Sequence, residues 1–269
     1  HLSYLDGKAA VYRDLDSVYQ RVYRTAEARY RTGEIALAEK LAAQNRARQV
    51  QLETQTVQHE IEFDRLVLQQ LLGLSEPVQP VVEPLHEGRF SIADTAKLSQ
   101  SALSLYDHSA IELARSEQLV NQAELAPTAS AGLYGQYLGN RAFFPGWQVG
   151  LNVPLFRKSL RAQSEAAAIQ IAGAEAGYRQ GLLLRQNAMA HLLHEQEKYG
   201  ILLDYYNTEG RALAAELLRT AELNYRQGEL SYADIAQLLE QAAAIELEHL
   251  ENLLGLNRTI IELEALTGE

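Results

Sequence analysis

The sequence of 269 residues contains no cysteine, which excludes disulfides, thiolate metal sites and a cysteine nucleophile. No apolar run reaches the roughly 18 residues that a membrane-spanning helix needs. The first residues, HLSYLDGKAAVYRD, carry no apolar signal core and open in a helical pattern, so the chain reads as a processed piece. Basic residues are outnumbered, 24 against 35 acidic, for a formal net charge of −11. That balance argues against a nucleic-acid partner, whose phosphates require a basic face. It is compatible with cation handling, although an acidic surface more often only keeps a protein soluble. The sequence also lacks a glycine-rich phosphate loop, a nucleophile elbow and a histidine-rich helix signature. The expectation is therefore no enzyme and no cofactor.

What is present is the composition of long helices, rich in Ala, Leu, Glu, Gln and Arg. One stretch occurs twice. Residues 24–35 read RTAEARYRTGEI and residues 219–230 read RTAELNYRQGEL. Continued without a gap, the same offset aligns Ala38, Ala47, Leu52, Glu53, Leu68, Leu71 and Gly73 with identical residues of the second copy. A gapless match of this length points to a duplicated structural unit, against a background in which leucine-rich helices align by chance. Each copy continues into a proline-free helical stretch, Ile35 to Leu72 and Leu230 to Leu266. In the second, Ile235, Leu238, Leu239, Ala242 and Ile245, then Leu253, Leu256, Ile260 and Leu263, keep a spacing of three and four, an apolar stripe. Such a helix is roughly 55 Å long, a length that suits coiled coils and helical barrels. Gly33 and Gly228 fall between two helices. A left-handed glycine there ends one helix and reverses the chain; a continuous helix through it is the alternative, at the cost of a mid-helix glycine. The long stretch from about Ser159 to Arg226 is expected to bend or break at Gly173, Gly181, Gly200 or Gly210.

Two segments break the helical pattern. Pro77, Pro80 and Pro84 make residues 74–90 an extended connection, after which Ser91 and Asp94 resemble a helix start for a helix running to about Glu124. Residues 127–156 then alternate with period two. Trp147, Val149, Leu151, Val153 and Leu155 interleave with Gln148, Gly150, Asn152 and Pro154, and Ala129, Ala131, Leu133, Gly135 and Tyr137 alternate in the same way. Gly139-Asn140 and Pro145-Gly146 bracket the loop between the arms. The expectation is one β-hairpin with arms of about 9–11 residues, the length of a tilted membrane-spanning strand. An isolated hairpin is marginal in water, so it must pair with something else.

The fold class is thus mainly α: long antiparallel coiled-coil helices with one β-hairpin. The order of helix, Pro-bounded hairpin, long helix, Tyr-x-x-Gly tip and long helix resembles the TolC family of outer-membrane efflux channels over nearly the whole chain. The residues carrying the resemblance are Pro127, the stretch from Val149 to Phe156, and the tips Tyr30-Arg-Thr-Gly33 and Tyr225-Arg-Gln-Gly228. Within the family, the stretch EKYGILLDYYNTEGRALAAELLRTAELNYRQGELSYADIAQLLEQAAAIE is most similar to CusC/CzcC-type channels, in particular the TolC-like tail joined to heavy-metal transporters of the resistance-nodulation-division class. The resemblance implies a homotrimer whose hairpins share a β-barrel in the outer membrane of a Gram-negative bacterium. Its helices form a tube across the periplasm, and its tips meet a periplasmic adaptor or the inner-membrane transporter, with no chemistry in the channel. Heavy-metal cations are the implied cargo. The rival reading is a coiled-coil adaptor or spacer of the cell envelope that passes nothing.

Measured against that pattern, residues 1–73 form a truncated first repeat with its tip near 30–35, residues 74–95 the connection, and residues 96–269 a complete second repeat with its tip near 225–230. The N-terminal quarter, a helix and a hairpin, is expected to be missing. One hairpin per protomer is too few strands to close the family's trimeric barrel.

Three sets of side chains are candidate sites. At the tips, Tyr30, Arg31, Gly33, Glu34, Tyr225, Arg226, Gly228 and Glu229 would contact the adaptor or form inter-subunit ion pairs; the alternative is helix-end charges suited to the dipole. In the hairpin, Tyr134, Tyr137, Phe143, Phe144 and Trp147 would form an aromatic girdle at the bilayer interface, against ordinary packing of a small sheet. His191 and His194, near Met189 and Glu195, share a helix face and are weak metal candidates; no metal site is expected. Tyr205 and Tyr206 are expected to be helix packing.

Overall fold

The structure, a computed structural model, describes all residues except 82, 91–97, 139–141 and 269. Its elements are α1 (Leu2–Arg31), α2 (Leu37–Leu71), α3 (Ala102–Ala123), β1 (Thr128–Leu138), β2 (Ala142–Asn152), α4 (Arg157–Tyr205), a π-turn (Tyr206–Gly210), α5 (Arg211–Gln227) and α6 (Tyr232–Thr267). None of the described helices is long and apolar enough to cross a membrane. The chain divides into two compact units, residues 1–90 with 191–263, and residues 91–190 with 264–269.

In the first unit the helices are held by an apolar seam. Leu15, Val18, Tyr19, Val22 and Ala26 of α1 pack with Ala43, Ala47 and Val50 of α2, Ala221 and Tyr225 of α5, and Tyr232, Ile235 and Leu239 of α6. The α1 positions recur every three or four residues, which is why they share one face. Alanines recur along the seam. Ala26 and its repeat equivalent Ala221 are both fully buried, as are Ala47 and Ala242. Each large apolar side chain in this seam contributes about 1.5–3 kcal/mol on burial.

Both repeated stretches end a helix in the same way. Gly33 and Gly228 have φ of 79° and 80°. Gly33 N donates to the Tyr30 carbonyl and Glu34 N to the Arg29 carbonyl, and Gly228 and Glu229 make the same pair of bonds to Tyr225 and Asn224. This is the Schellman closure, in which a left-handed residue satisfies the last carbonyls of the helix. The reversal, and not the continuous helix, is the observed state. A side chain at either glycine would cost about 1–2 kcal/mol in backbone strain.

The helices that follow start differently. Ser231 and Asp234 exchange hydrogen bonds at the start of α6: Ser231 N donates to Asp234 Oδ2 at 3.2 Å and Asp234 N to Ser231 Oγ at 3.3 Å. The repeat equivalents in copy one are Ala36 and Glu39, and α2 has no side-chain cap.

Of the four glycines where a bend or break is expected, Gly210 is the one that lies at a break. Gly173, Gly181 and Gly200 lie inside an uninterrupted α4. The break falls at Tyr206–Gly210, where one turn widens to a π-helix that ends on Gly210. Helix α3 starts at Ala102, where Ser101 Oγ accepts from Ser104 N at 3.4 Å. Ser91 and Asp94 themselves lie outside the described residues, as do Gly139 and Asn140. Residues 74–90 carry no described helix or strand. They are held by side-chain amides: Gln196 Oε1 accepts from Phe90 N at 2.9 Å, and Asn257 donates to the His86 carbonyl at 3.0 Å.

In the second unit β1 and β2 pair antiparallel, with Leu133 opposite Trp147 and Tyr137 opposite Phe143. The regular strand stops at Asn152, so Val153 and Leu155 continue the sequence alternation beyond the ladder. Arg185 reaches Asp107 at 2.9 Å and Arg115 reaches Glu175 at 3.2 Å, tying α3 to α4.

Transplanting the cap of copy two into copy one by Ala36→Ser creates Ser-x-x-Glu before α2. It is expected to raise stability by about 1 kcal/mol, about 2 °C in Tm, in thermal denaturation followed by circular dichroism. An unchanged or lower Tm would show that this helix start is not limited by its missing cap.

Candidate functional site

The two tips lie side by side within the first unit, and the residue that joins them is Arg29. Its Nη1 donates to the Tyr225 carbonyl at 3.4 Å, its Nε lies 3.5 Å from Glu34 Oε2, and its guanidinium stands 5.3 Å from the centre of the Tyr225 ring. One side chain thus holds a main-chain acceptor and a ring of the second tip and a carboxylate of its own. Two turns back, Arg21 makes a bidentate pair with Glu222 at 2.6 and 3.0 Å. The Arg21 guanidinium holds the Glu222 carboxyl below the usual carboxylate range. The pair is largely solvated and contributes about 0–1 kcal/mol. Its value is geometric, since two parallel bonds fix the relative rotation of α1 and α5.

The tip residues picked out by the repeat divide by exposure. Arg31, Glu34, Arg226, Gly228 and Glu229 are exposed, and so is Tyr30, under the Lys40 ammonium. Arg31 pairs with Glu27 at 3.0 Å along its own helix. Tyr225 is different: it is 1% exposed, and burial pushes its hydroxyl pKa up. A surface role for the Tyr225 side chain is therefore corrected to an internal one, the ring against which Arg29 rests. Arg29 escaped the sequence reading because the repeat drew attention to identities. It stands at one of the four positions where the copies differ, opposite Asn224, and that difference was the available signal.

The hairpin register sorts its side chains onto two faces. Ala129, Ala131, Leu133, Gly135 and Tyr137 share one face with Leu151, Val149, Trp147, Pro145 and Phe143. That face has no charged, amide or aliphatic hydroxyl side chain, and its large members are exposed, with Leu133 at 90% and Trp147 at 75%. The opposite face carries Thr128, Ser130, Gln136, Gln148 and Asn152, together with Tyr134 and Phe144. The expected aromatic cluster is therefore split. Tyr137 and Phe143 meet in a tilted arrangement with centres 5.1 Å apart on the face that also holds Trp147, while Tyr134 and Phe144 project from the other side of the sheet.

His191 and His194 are both exposed, and His194 Nδ1 lies 4.0 Å from Glu197 Oε2. Met189 on the same helix is buried. Among the described residues no group of three or more His, Asp or Glu side chains is placed to hold a metal ion.

The π-turn builds a further feature that sequence reading missed. The widened turn puts Tyr206 against α6, where its ring stacks on His249 at 3.6 Å and its hydroxyl donates to Glu246 at 2.8 Å. Burial and that carboxylate push the Tyr206 pKa up to about 12. Tyr205 faces outward, so of the two tyrosines only Tyr206 is packing. The next residue, Asn207, donates to Glu87 at 3.0 Å. These side chains line a groove of about 580 Å³ that also takes in Asp14, Arg211 and Leu253. His249 Nδ1 is buried there with no hydrogen-bond partner. Burial lowers the His249 pKa, with Arg211 acting in the same direction and Glu246 and Glu87 opposing it.

No protein-family model and no curated protein matches this chain. Solved structures do. The chain is similar to CusC, described with its folding and transmembrane channel formation, at a TM-score of 0.84 and 16% identity, over 99% of this chain and 65% of that one. It is similar to the Campylobacter jejuni outer membrane channel CmeC at 0.82 and 12%, over 99% and 60%. It is also similar to the outer membrane protein VceC of Vibrio cholerae at 0.82 and 17%, over 98% and 67%. The chain has the TolC-like fold. It spans about two thirds of the length of these TolC-like structures. On this fold the tips are the two helix reversals and the hairpin is its strand element.

His249 gives stability a pH dependence of defined sign. Its folded pKa lies below its unfolded value of about 6.5, so its contribution is complete above that unfolded value and is lost as pH falls from there through the folded pKa. Urea unfolding is expected to show lower stability at pH 5.5 than at 7.5, with His249→Phe, which keeps a ring on Tyr206, losing less. Equal losses in both proteins would refute the assignment.

Proposed function

We propose that this chain is part of an outer-membrane channel, the passive conduit of a tripartite efflux system in a Gram-negative envelope. The observation that carries the proposal is the hairpin. Each arm has 11 residues, enough to cross a bilayer as a tilted strand. One face is apolar from end to end and open, and the other is polar. A face of that kind has no use in water, and a spacer that passes nothing gains nothing from it. In a barrel wall the two faces meet lipid and lumen. The similarity to CmeC and VceC, whose descriptions place them in the outer membrane, supports the same location.

The sheet has two strands among the described residues, so each strand keeps a free edge. Closed barrels remove such edges, and in a homotrimer each copy would have to bring more strands than this one hairpin to close one. The tips are the docking end. Their exposed Arg31, Glu34, Arg226 and Glu229 form alternating charges that a periplasmic adaptor or an inner-membrane resistance-nodulation-division transporter, separate or fused, would meet. Tyr137, Phe143 and Trp147 belong at the bilayer side of the hairpin. The cargo is read as heavy-metal cations from the resemblance of the stretch around the second tip. They pass through without being held, and His191 and His194 serve no metal site.

Outer-membrane fractionation tests the membrane reading. Val149→Arg and Leu151→Arg are each expected to cost about 2–4 kcal/mol on a lipid face and to deplete the protein from the outer membrane, whereas Gln148→Arg is not. Equal incorporation of all three would sink it. Docking is tested separately. Gly228→Trp is expected to abolish in-cell cross-linking of the tip to a co-expressed periplasmic adaptor while leaving the outer-membrane fraction unchanged. Efflux and cross-linking that both survive this change would rule out the tip as the contact.

A further inference from the structure

The polar face of the hairpin has a feature that alternation alone does not require. Three successive cross-strand pairs on it each contain one glycine: Ser130 with Gly150, Gly132 with Gln148, and Tyr134 with Gly146. In each pair the partner's side chain lies over the glycine. A Cβ at Gly150 would meet Ser130 Oγ at 2.8 Å, one at Gly132 would meet Gln148 Nε2 at 3.3 Å, and one at Gly146 would meet the Tyr134 ring at 2.5 Å. The glycines change strands along the ladder, so this face carries one side chain per pair, laid flat. Most pairs on the apolar face carry two side chains, such as Leu133 with Trp147 and Ala131 with Val149. The next polar-face pair toward the turn, Gln136 with Phe144, has no glycine, and Phe144 is 54% exposed. Among the described residues of β1 and β2 none is charged.

From this we propose that the glycine-rich polar face is the wall of the conduit and that Phe144 is, among the described residues, the hairpin side chain that narrows it, so that this stretch sorts solutes by size and not by charge. The inference rests on the barrel reading above and extends it. Flattened side chains cost the lumen little radius, because each lies within the footprint of a missing Cβ. Tyr134, although large, is in this group, since Gly146 lets its ring lie on the sheet. Phe144 has no glycine to lie on and stands opposite Gln136. Rings of fixed charge are how channels select ions of one sign, and the described strand residues supply none. Hydrated ions of either sign would pass, and bulky solutes would be held back at Phe144.

Single-channel recording in planar bilayers, on protein purified from outer membranes, tests this. Phe144→Ala is expected to raise conductance by about 1.5-fold, and Gly132→Phe and Gly150→Phe to lower it by a similar factor, with Leu133→Ala and Val149→Ala unchanged. The lack of native cysteine allows a second measurement that does not depend on conductance. In membranes, Gln148→Cys is expected to react with a charged, water-soluble thiol reagent and Val149→Cys only with a lipophilic one. Channels that respond at Leu133 and Val149 but not at Phe144, or the reverse labelling, would overturn the face assignment while leaving the channel reading intact. Unchanged conductance in Phe144→Ala, with the expected labelling, would overturn the constriction. Wild-type protein that forms no channel at all would overturn both this inference and the function on which it rests.

Discussion

A helix can turn back on itself only if some residue leaves the right-handed region and its last carbonyls still find donors. At residues 33 and 228 a left-handed glycine does both, and everything else in the first unit follows from those two reversals. They set α1 against α2 and α5 against α6, and they bring the ends of α1 and α5 close enough for Arg29 to reach Tyr225. The shared Tyr-Arg-x-Gly-Glu is therefore a backbone requirement before it is a surface. The glycine supplies the positive φ, and the following residue supplies the amide that closes the motif. That the motif recurs explains the repeat without any ligand.

The hairpin obeys a different constraint. Two strands cannot bury both of their faces, so the sequence has to decide what each face meets. Here one face is apolar throughout and the other is polar and thinned by glycine. Such asymmetry is costly for a sheet left in water and natural for one between lipid and a water-filled passage. The same logic makes the chain's acidic balance secondary: charge sits on the helices, and the described strands carry none.

Much of the fold was legible in the sequence because it rests on periodicity. The three-and-four spacing in α6, the alternation around Trp147 and the glycine at each tip all follow from local geometry that a linear pattern can encode. The features that escaped depend on contacts distant in sequence. Arg29 looks like any arginine near the end of a helix until Tyr225, 196 residues away, is placed beside it. Tyr30 and Tyr225 share a letter and a register, yet one is exposed and the other buried, because α5 turns its tyrosine into the seam where α1 turns its own outward. The π-turn at Tyr206 was invisible because four glycines offered themselves as breaks. Only the packing of Tyr206 on His249 selects the turn that ends at Gly210.

By itself the sequence determined the element types, the helix reversals and the alternation of the strands, since each is set by residues within a few positions of one another. Tertiary structure decided which of two equivalent tyrosines is an anchor, which arginine joins the tips, and which glycine stands opposite which side chain. Those are relations between segments. The free energy that fixes them comes from burial and pairing across the chain, where local pattern carries no information.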